Sequence, residues 1–252
     1  MKIVNDKLTE FFKSGFYENI YGWKFNEADA KYIADKVITL LEINSGHILD
    51  WCGGWGRISI HLAKMGYQIT ILDIVDEFLA KARRIFQEEG LHMNTVNADC
   101  MFTPSDIQAD HAICLFNSVG YVCDEKQIQA FKSLHNAIKD NGSIIIECIN
   151  QLYLSRHFLP VIENKRPDGI TCLQKNDFDL QRSVLYSEFE FVDNGGNIID
   201  KKSFAQRIYT PLELTNILKE SGFIVDNMFG SFEGKDLSFD LPQIITVATK
   251  CQ

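Results

Sequence analysis

The chain has 252 residues, a net charge of −9 and a pI near 5.2, with 46% hydrophobic and 23% charged residues. This length fits one α/β domain with an insertion or at most two small domains, and the acidic balance argues against a nucleic-acid partner because it repels phosphate. The seven cysteines include no C-x-x-C pair, which predicts free thiols and no zinc site. The sequence predicts neither a signal peptide nor a membrane span, so we expect a cytoplasmic protein with no membrane partner.

Residues 1–45 are predicted to form a helical cap. Apolar side chains recur at helical spacing from Leu8 to Tyr21, and a second helix is predicted from Asn26 to Leu41. The first of these helices carries an aromatic cluster whose simplest interpretation is core packing. Its members, with the Trp that follows, are Phe16, Tyr17, Tyr21 and Trp23.

Residues 46–73 form the most informative stretch, GHILDWCGGWGRISIHLAKMGYQITILD. A short apolar strand ends in Asp50, a glycine-dense turn leads into a predicted helix over Arg57 to Met65, and a second apolar strand ends in Asp73. Strand, turn, helix and strand make a βαβ unit of nucleotide-binding type. Glycines in the turn let a ligand approach the backbone, and an acid ending the second strand is placed to accept hydrogen bonds from ribose hydroxyls. The sequence therefore predicts a ligand that contains a ribose.

The glycine spacing separates two kinds of ribose-containing ligand. A dinucleotide fingerprint reads G-x-G-x-x-G, but here Gly54-x-Gly56 is followed by Ile58 and Ser59 with no third glycine. The pattern Asp50-x-x-x-Gly54-x-Gly56 instead resembles motif I of the class I S-adenosylmethionine-dependent methyltransferases, with Cys52 at the position of that family's first glycine. The resemblance, which extends to a bacterial group of small-molecule methyltransferases, implies S-adenosylmethionine as the cofactor.

The same resemblance implies a set of cofactor-binding residues. Asp73 would hold the ribose, with Ile74 beside the adenine, and Asp99 would accept from the adenine amine unless it serves only as a turn or helix cap. Tyr17 or Tyr21 would meet the methionyl end if the N-terminal helices form a lid. The remaining members are Asp50, Trp51, Cys52, Gly53, Gly54, Gly56, Cys100, Phe116 and Asn117.

The fold class that these elements predict is a Rossmann-like, seven-stranded, mostly parallel sheet with helices on both faces. The core is assigned to residues 46–150 and 209–252. Its further predicted elements are a helix over 75–87, strands near 92–96 and 110–116, a helix over 125–138, a turn at 140–143, a strand over 144–149, a helix over 210–221 and strands over 223–228 and 243–249.

Residues 151–208 are predicted to be an antiparallel β insertion after the fifth strand. Residues 183–193 alternate with period two, Asn194 to Asn197 forms a hairpin turn, and residues 198–208 supply the partner strand. The resemblance implies that such an insertion covers the methyl acceptor. Dimerisation and a purely structural role remain alternatives.

Four residues are candidates for acid–base catalysis, because an amine or hydroxyl acceptor must lose a proton. They are Tyr121, Glu147, His157 and Tyr209. Each has a structural alternative: tyrosines cap apolar surfaces, Glu147 could pair with Arg207, and His157 could simply be exposed.

The function predicted from the sequence is methyl transfer from S-adenosylmethionine to a nitrogen or oxygen of a small molecule, by a monomer or homodimer. One alternative is a catalytically inactive protein that binds this cofactor. Another is an NAD-dependent oxidoreductase, which fits the βαβ unit but not the glycine spacing.

Overall fold

The computed structural model describes residues 11–12 and 26–251. Of the first predicted helix, Phe11 and Phe12 are described and helical, whereas the candidates Tyr17 and Tyr21 lie outside the described residues. The second predicted helix is confirmed as α1, Glu27–Leu40. It begins after Asn26, whose side-chain oxygen accepts a hydrogen bond from the Asp29 amide at 2.8 Å, as an N-cap should.

The core elements follow the predicted order. They are β1 (His47–Trp51), α2 (Ser59–Lys64), β2 (Gln68–Asp73), α3 (Asp76–Glu88), β3 (Asn94–Asn97), β4 (Ala109–Cys114), α4 (Asp124–Ala137), β5 (Ile138–Ile149) and, after an insertion that contains α5 and β6 to β9, α6 (Pro211–Glu220), β10 (Phe223–Phe229) and β11 (Gln243–Lys250).

These strands form a seven-stranded sheet in the order β10-β11-β5-β4-β1-β2-β3. β1 to β5 pair in parallel, whereas β11 pairs antiparallel with both β5 and β10. The predicted fold class is therefore confirmed. The chain crosses from β3 over to β4 on the far side of β1, so the strand order reverses beside β1, and in open α/β sheets this is where ligands bind.

The buried strands carry apolar side chains on both faces, and helices cover each face. α4 and α6 pack on one face, where Phe131 and Leu218 are fully buried. α1, α2 and α3 pack on the other, where Val37, Leu62 and Leu79 are fully buried. Burial on both faces explains why these strands read as continuous apolar runs in the sequence.

The insertion contains a short helix, α5 (Gln151–Arg156), and a second sheet of four antiparallel strands, β6 (Val161–Lys165), β7 (Thr171–Asp179), β8 (Val184–Val192) and β9 (Ile198–Arg207). The predicted hairpin is present as β8 and β9. α5, β6 and β7 were not predicted. Phe11 packs against the second sheet, with its ring centroid 5.1 Å from that of Phe204.

Two further local predictions have different outcomes. Thr210 caps α6 in a capping box with Glu213, as the sequence indicates. The turn predicted at Asp140 to Ser143, however, lies inside β5, where the pairing jumps from Ala109 with Ile138 to His111 with Ser143. Extra residues are accommodated there as an irregularity in the strand. None of the helices that the structure describes is long and apolar enough to cross a membrane.

Candidate active site

A cavity of about 210 Å³ lies at the carboxyl ends of β1, β2 and β4. It extends from the glycine turn and the end of β2 to the loop after β4 and the N-terminal segment. Its lining consists of Phe12, Asp50, Cys52, Gly53, Gly54, Trp55, Arg57, Ile58, Leu72, Asp73, Ile74, Phe78, Ala98, Asp99, Cys100, Leu115, Phe116, Ser118, Tyr121, Val122, Gln127 and Ala130.

The three glycines of the turn serve three different needs. A Cβ on Gly53 would collide with the Asp50 carboxyl group. A Cβ on Gly54 would meet nothing nearer than 3.8 Å, so its φ of +58° is what favours glycine there. A Cβ on Gly56 would lie 2.5 Å from Ile71 Cδ1, so this glycine allows close packing against the sheet. Of these three glycines, Gly53 and Gly54 line the cavity and Gly56 does not.

Asp50 forms the floor of the turn. Its carboxylate is buried and accepts a hydrogen bond from the Ser59 hydroxyl at 2.6 Å. The pKa of Asp50 is raised to about 7: burial is the main cause and the nearby Asp73 adds to it, while the bond from Ser59 and the Arg57 guanidinium oppose the shift. The carboxyl group is therefore divided between its two protonation states near neutral pH.

Asp73 joins the turn to the end of β2. Its Oδ2 accepts from the Gly54 amide and its Oδ1 from the Val75 amide, both at 2.9 Å. Burial raises its pKa, and these backbone amides oppose that change. The two hydrogen bonds fix the carboxyl group at the cavity wall, between the glycine turn and Ile74.

Asp99 and Cys100 line the cavity beyond the end of β3. Asp99 also caps the short 3₁₀ turn that follows, because its Oδ1 accepts from the Met101 amide at 2.9 Å. Asp99 thus both caps this turn and lines the cavity. Trp51 does not line the cavity: it is buried and its indole donates to Thr103 Oγ1 at 2.9 Å, which anchors this loop to β1.

Cys52 adopts a left-handed backbone conformation, with φ of 62°. The sequence placed this residue where the related motif has glycine, and the backbone still follows the path that glycine favours. A hydrogen bond with the Cys100 thiol, together with burial, raises the pKa of the Cys52 thiol well above its usual range. Both thiols face the cavity, and all seven cysteines are free.

Arg57 lies between the glycine turn and the loop after β4. Its guanidinium carbon lies 4.0 Å from the centroid of the Phe116 ring. Burial raises the pKa of both Asp50 and Glu147, and the charge of Arg57 opposes that rise. Phe116 lines the cavity, whereas Asn117 lies behind the lining and holds the loop in place.

Of the four candidate catalytic residues, the structure places Tyr121 at the cavity. Its ring lies 5.9 Å from that of Phe12 and 5.5 Å from that of Phe204, measured between centroids. Glu147 lies below the cavity wall rather than in it. Gln243 donates to its carboxylate at 3.1 Å, whereas Arg207 pairs with Glu213 and Asp124 and not with Glu147 as the sequence allowed.

The other two candidates lie outside the lining of the cavity. Tyr209 is buried and donates to Asp124 at 3.1 Å, and burial raises its pKa strongly. His157 follows α5, with its Nε2 3.5 Å from an Asp240 oxygen and its ring 4.5 Å from that of Tyr153. Their contacts are those of structural side chains.

The structure adds lining residues that the sequence did not identify. Trp55 follows the glycine pair and packs edge-on against Phe78, with centroids 5.4 Å apart. Gln127 projects from α4 and accepts from the Gly120 amide at 2.9 Å. The only signal for Trp55 in the sequence was its position in the predicted glycine turn. Gln127 had none, because buried glutamines on helices follow no pattern.

The strand order, the glycine turn over a buried acid and a second acid ending β2 define an α/β domain that binds a ribose-containing cofactor. Residues 48–142 match a family model described as a methyltransferase domain. The putative methyltransferase YqeM of Bacillus subtilis is 24% identical over 217 residues, which cover 81% of this chain and 84% of that protein.

Solved structures agree on the fold. An S-adenosylmethionine-dependent methyltransferase from Clostridium acetobutylicum superposes with a TM-score of 0.78 at 15% identity, covering 95% of this chain and 98% of that one. The sugar N-methyltransferase KedS8 from Streptoalloteichus has a TM-score of 0.71 at 14% identity, covering 94% and 93%. Residues 48–142 thus match a methyltransferase domain, and the chain shares the fold of these solved methyltransferases.

Proposed function

We propose that this protein transfers the methyl group of S-adenosylmethionine to a nitrogen or oxygen of a small-molecule acceptor. The observation that carries the proposal is the continuity of one cavity from Asp73 and Asp99 at one end to Tyr121 and Phe12 at the other. Such a cavity can hold the adenosyl part of the donor and still bring its sulfonium close to an acceptor.

At the donor end, the proposed roles follow from the chemistry of the wall. The Asp73 carboxylate, fixed by two backbone amides, accepts from the ribose hydroxyls. Asp99 accepts from the adenine amine, with the exposed side chain of Ile74 against the ring. Among the described lining residues, the carboxyls of Asp73 and Asp99 outnumber the Arg57 guanidinium even without Asp50, which favours a cationic sulfonium.

Methyl transfer from a sulfonium is a displacement on carbon, and the donor is already activated by its charge. The protein mainly has to hold donor and acceptor close and in line, an effect that can lower the barrier by about 7–11 kcal/mol. An amine or hydroxyl acceptor also loses a proton. Tyr121 is the candidate cavity residue that can relay it, with its phenol oxygen taking this proton as the hydroxyl releases its own to solvent.

The domain roles complete the proposal. Residues 46–150 and 209–252 bind the cofactor, the insertion over residues 151–208 covers the acceptor, and residues 1–45 cap the site. Phe12 and Phe204, from the cap and the insertion, both contact the Tyr121 ring, which supports this arrangement. The expectations of a monomer or homodimer, of a cytoplasmic location, and of no nucleic-acid or membrane partner stay predictions.

The test is turnover. The purified protein is incubated with S-adenosylmethionine and a panel of small amines and alcohols, with amino sugars first because KedS8 is a sugar N-methyltransferase. Release of S-adenosylhomocysteine is measured for the wild type, Asp73→Asn and Tyr121→Phe. Acceptor-dependent release that falls in both variants supports the proposal. Cofactor binding without release for any acceptor would favour the inactive binding protein.

A further inference from the structure

The loop after β4, residues 115–121, has an unusual backbone. Phe116 and Asn117 are consecutive non-glycine residues with φ of 58° and 61°. Such left-handed conformations persist where the surrounding structure determines them. Because Phe116, Ser118 and Tyr121 of this loop line the cavity, whatever holds the loop also sets the cavity wall.

One set of contacts comes from the core sheet. The Asn117 amide donates to Glu147 Oε2, and Asn117 Oδ1 accepts from the Ile149 amide, each at 3.1 Å. Gln243 donates to the other oxygen of Glu147, also at 3.1 Å. These bonds attach the loop to β5 and β11.

A second set comes from the insertion, through Gln206 of β9. Its side chain is 1% exposed and makes three hydrogen bonds with the loop. Its Oε1 accepts from Asn117 Nδ2 at 2.9 Å, and its Nε2 donates to the carbonyls of Asn117 at 3.0 Å and Val119 at 2.8 Å. One buried side chain therefore satisfies three polar groups of the loop.

The backbones also meet at this point. The Arg207 amide donates to the Gly120 carbonyl at 2.7 Å, and a Cβ on Gly120 would collide with the Arg207 carbonyl oxygen. The approach leaves no room for a side chain between β9 and the loop, which explains the glycine.

We propose that Gln206 is a positioning residue that holds the loop after β4 in the conformation that presents Phe116, Ser118 and Tyr121 to the cavity. The Gln206 side chain then couples the insertion to the cofactor cavity, beside the backbone bond from Arg207 to Gly120. The significance of this coupling for methyl transfer rests on the proposed function, but the position of the loop does not.

The experiment compares the wild type with Gln206→Met, which keeps the volume and loses the hydrogen bonds, and with Gln206→Glu. Ser187→Ala is the matched control, because Ser187 is also buried in the insertion and donates to Asn176 at 2.8 Å without touching the loop. Amide exchange of residues 115–121 and affinity for S-adenosylhomocysteine are measured for each protein.

For Gln206→Met we expect exchange in residues 115–121 to rise roughly tenfold and the affinity to fall about five- to tenfold, because three buried hydrogen bonds are lost. Ser187→Ala should change neither quantity at the loop. The carboxyl group introduced by Gln206→Glu is buried and faces two carbonyls, so it will hold a proton at lower pH and can then donate once. Its affinity, relative to wild type at each pH, should fall as the pH rises, whereas that of Gln206→Met should stay constant.

The proposal would be overturned if Gln206→Met raised amide exchange as much in β6 to β8 as in residues 115–121. It would also be overturned if Ser187→Ala lost as much affinity for S-adenosylhomocysteine as Gln206→Met. If the affinity of Gln206→Glu relative to wild type equals that of Gln206→Met at every pH, Gln206 acts only through packing and the proposal fails. Failure of the wild type to bind S-adenosylhomocysteine would overturn the proposed function instead, and the exchange measurement would still decide the role of Gln206.

Discussion

Gly56 gives the sharpest quantitative prediction. Replacement by alanine places a Cβ at φ of +72°, 2.5 Å from Ile71 Cδ1 and 3.4 Å from Phe86 Cε2, both fully buried side chains. The left-handed conformation costs about 1–2 kcal/mol and overpacking about 1–3 kcal/mol, while the stiffer unfolded chain offsets about 0.4–1 kcal/mol. We therefore expect Gly56→Ala to lower the free energy of unfolding by about 2–4 kcal/mol.

The assay is equilibrium unfolding in urea. Gly54→Ala is the matched control, because its φ is +58° but its Cβ would have 3.8 Å of space. We expect only the backbone cost less the same offset, which leaves about 0–1.6 kcal/mol. Ile71→Val removes the clashing Cδ1 and alone costs about 0.5–1.5 kcal/mol.

The double variant Gly56→Ala/Ile71→Val separates the two causes. If the steric clash with Ile71 is real, the double variant will be more stable than the sum of the two single changes by about 1–3 kcal/mol. Strict additivity would refute close packing against Ile71 as the reason for glycine at this position.

The remaining predictions concern single side chains around the site. Because the pKa of Asp50 is raised to about 7, native Asp50 binds its proton more tightly than it does in the unfolded chain. The free energy of unfolding should therefore fall by on the order of a few kcal/mol as the pH rises from about 4 through 7. This pH dependence should be weaker in Asp50→Asn, whose amide oxygen can still accept from Ser59. A slope unchanged by Asp50→Asn in urea titrations would contradict this. Cys52→Gly and Cys52→Ala both lose the thiol, but only glycine adopts a φ of 62° without strain. The glycine variant should therefore be about 0.5–1 kcal/mol more stable than the alanine variant. Equal unfolding midpoints would argue against backbone strain at this position. Tyr209→Phe loses only the hydrogen bond to Asp124, so thermal unfolding should show a cost of about 1 kcal/mol, and a fall in cofactor affinity would instead connect Tyr209 to the site.

The βαβ unit was predictable because its signals are local. Asp50 lies one residue before the end of β1 and Asp73 ends β2, and the glycine turn and α2 lie between them. The predicted hairpin of β8 and β9 was equally local, since its alternation and turn are adjacent in the chain. β7 was not predicted, because its sequence TCLQKNDFD is mostly polar or charged and only Cys172 in it is buried.

The parts of the site that sequence reasoning missed depend on contacts between distant residues. Gln206 and Asn117 are 89 positions apart, and no periodicity reveals a buried glutamine that satisfies a loop. Tyr209 was a reasonable acid–base candidate by residue type, but the direction in which its side chain points depends on how α6 and β9 pack. The side chain of Arg57 could be placed beside Phe116 only when the loop after β4 was known.

The most direct test of the site is isothermal titration calorimetry with S-adenosylhomocysteine and, separately, NAD. Asp73→Asn keeps the shape of the side chain and loses its charge. Asp110→Asn is the matched control, because Asp110 accepts from the His47 amide at 2.8 Å at the opposite end of the sheet.

We predict that the wild type binds S-adenosylhomocysteine and not NAD. Loss of charge-assisted hydrogen bonds worth about 1.5–3 kcal/mol should weaken binding roughly 10- to 100-fold in Asp73→Asn. Asp110→Asn should bind as the wild type does. Binding of NAD alone, or equal affinity of Asp73→Asn and the wild type for S-adenosylhomocysteine, would contradict the assignment of this cavity.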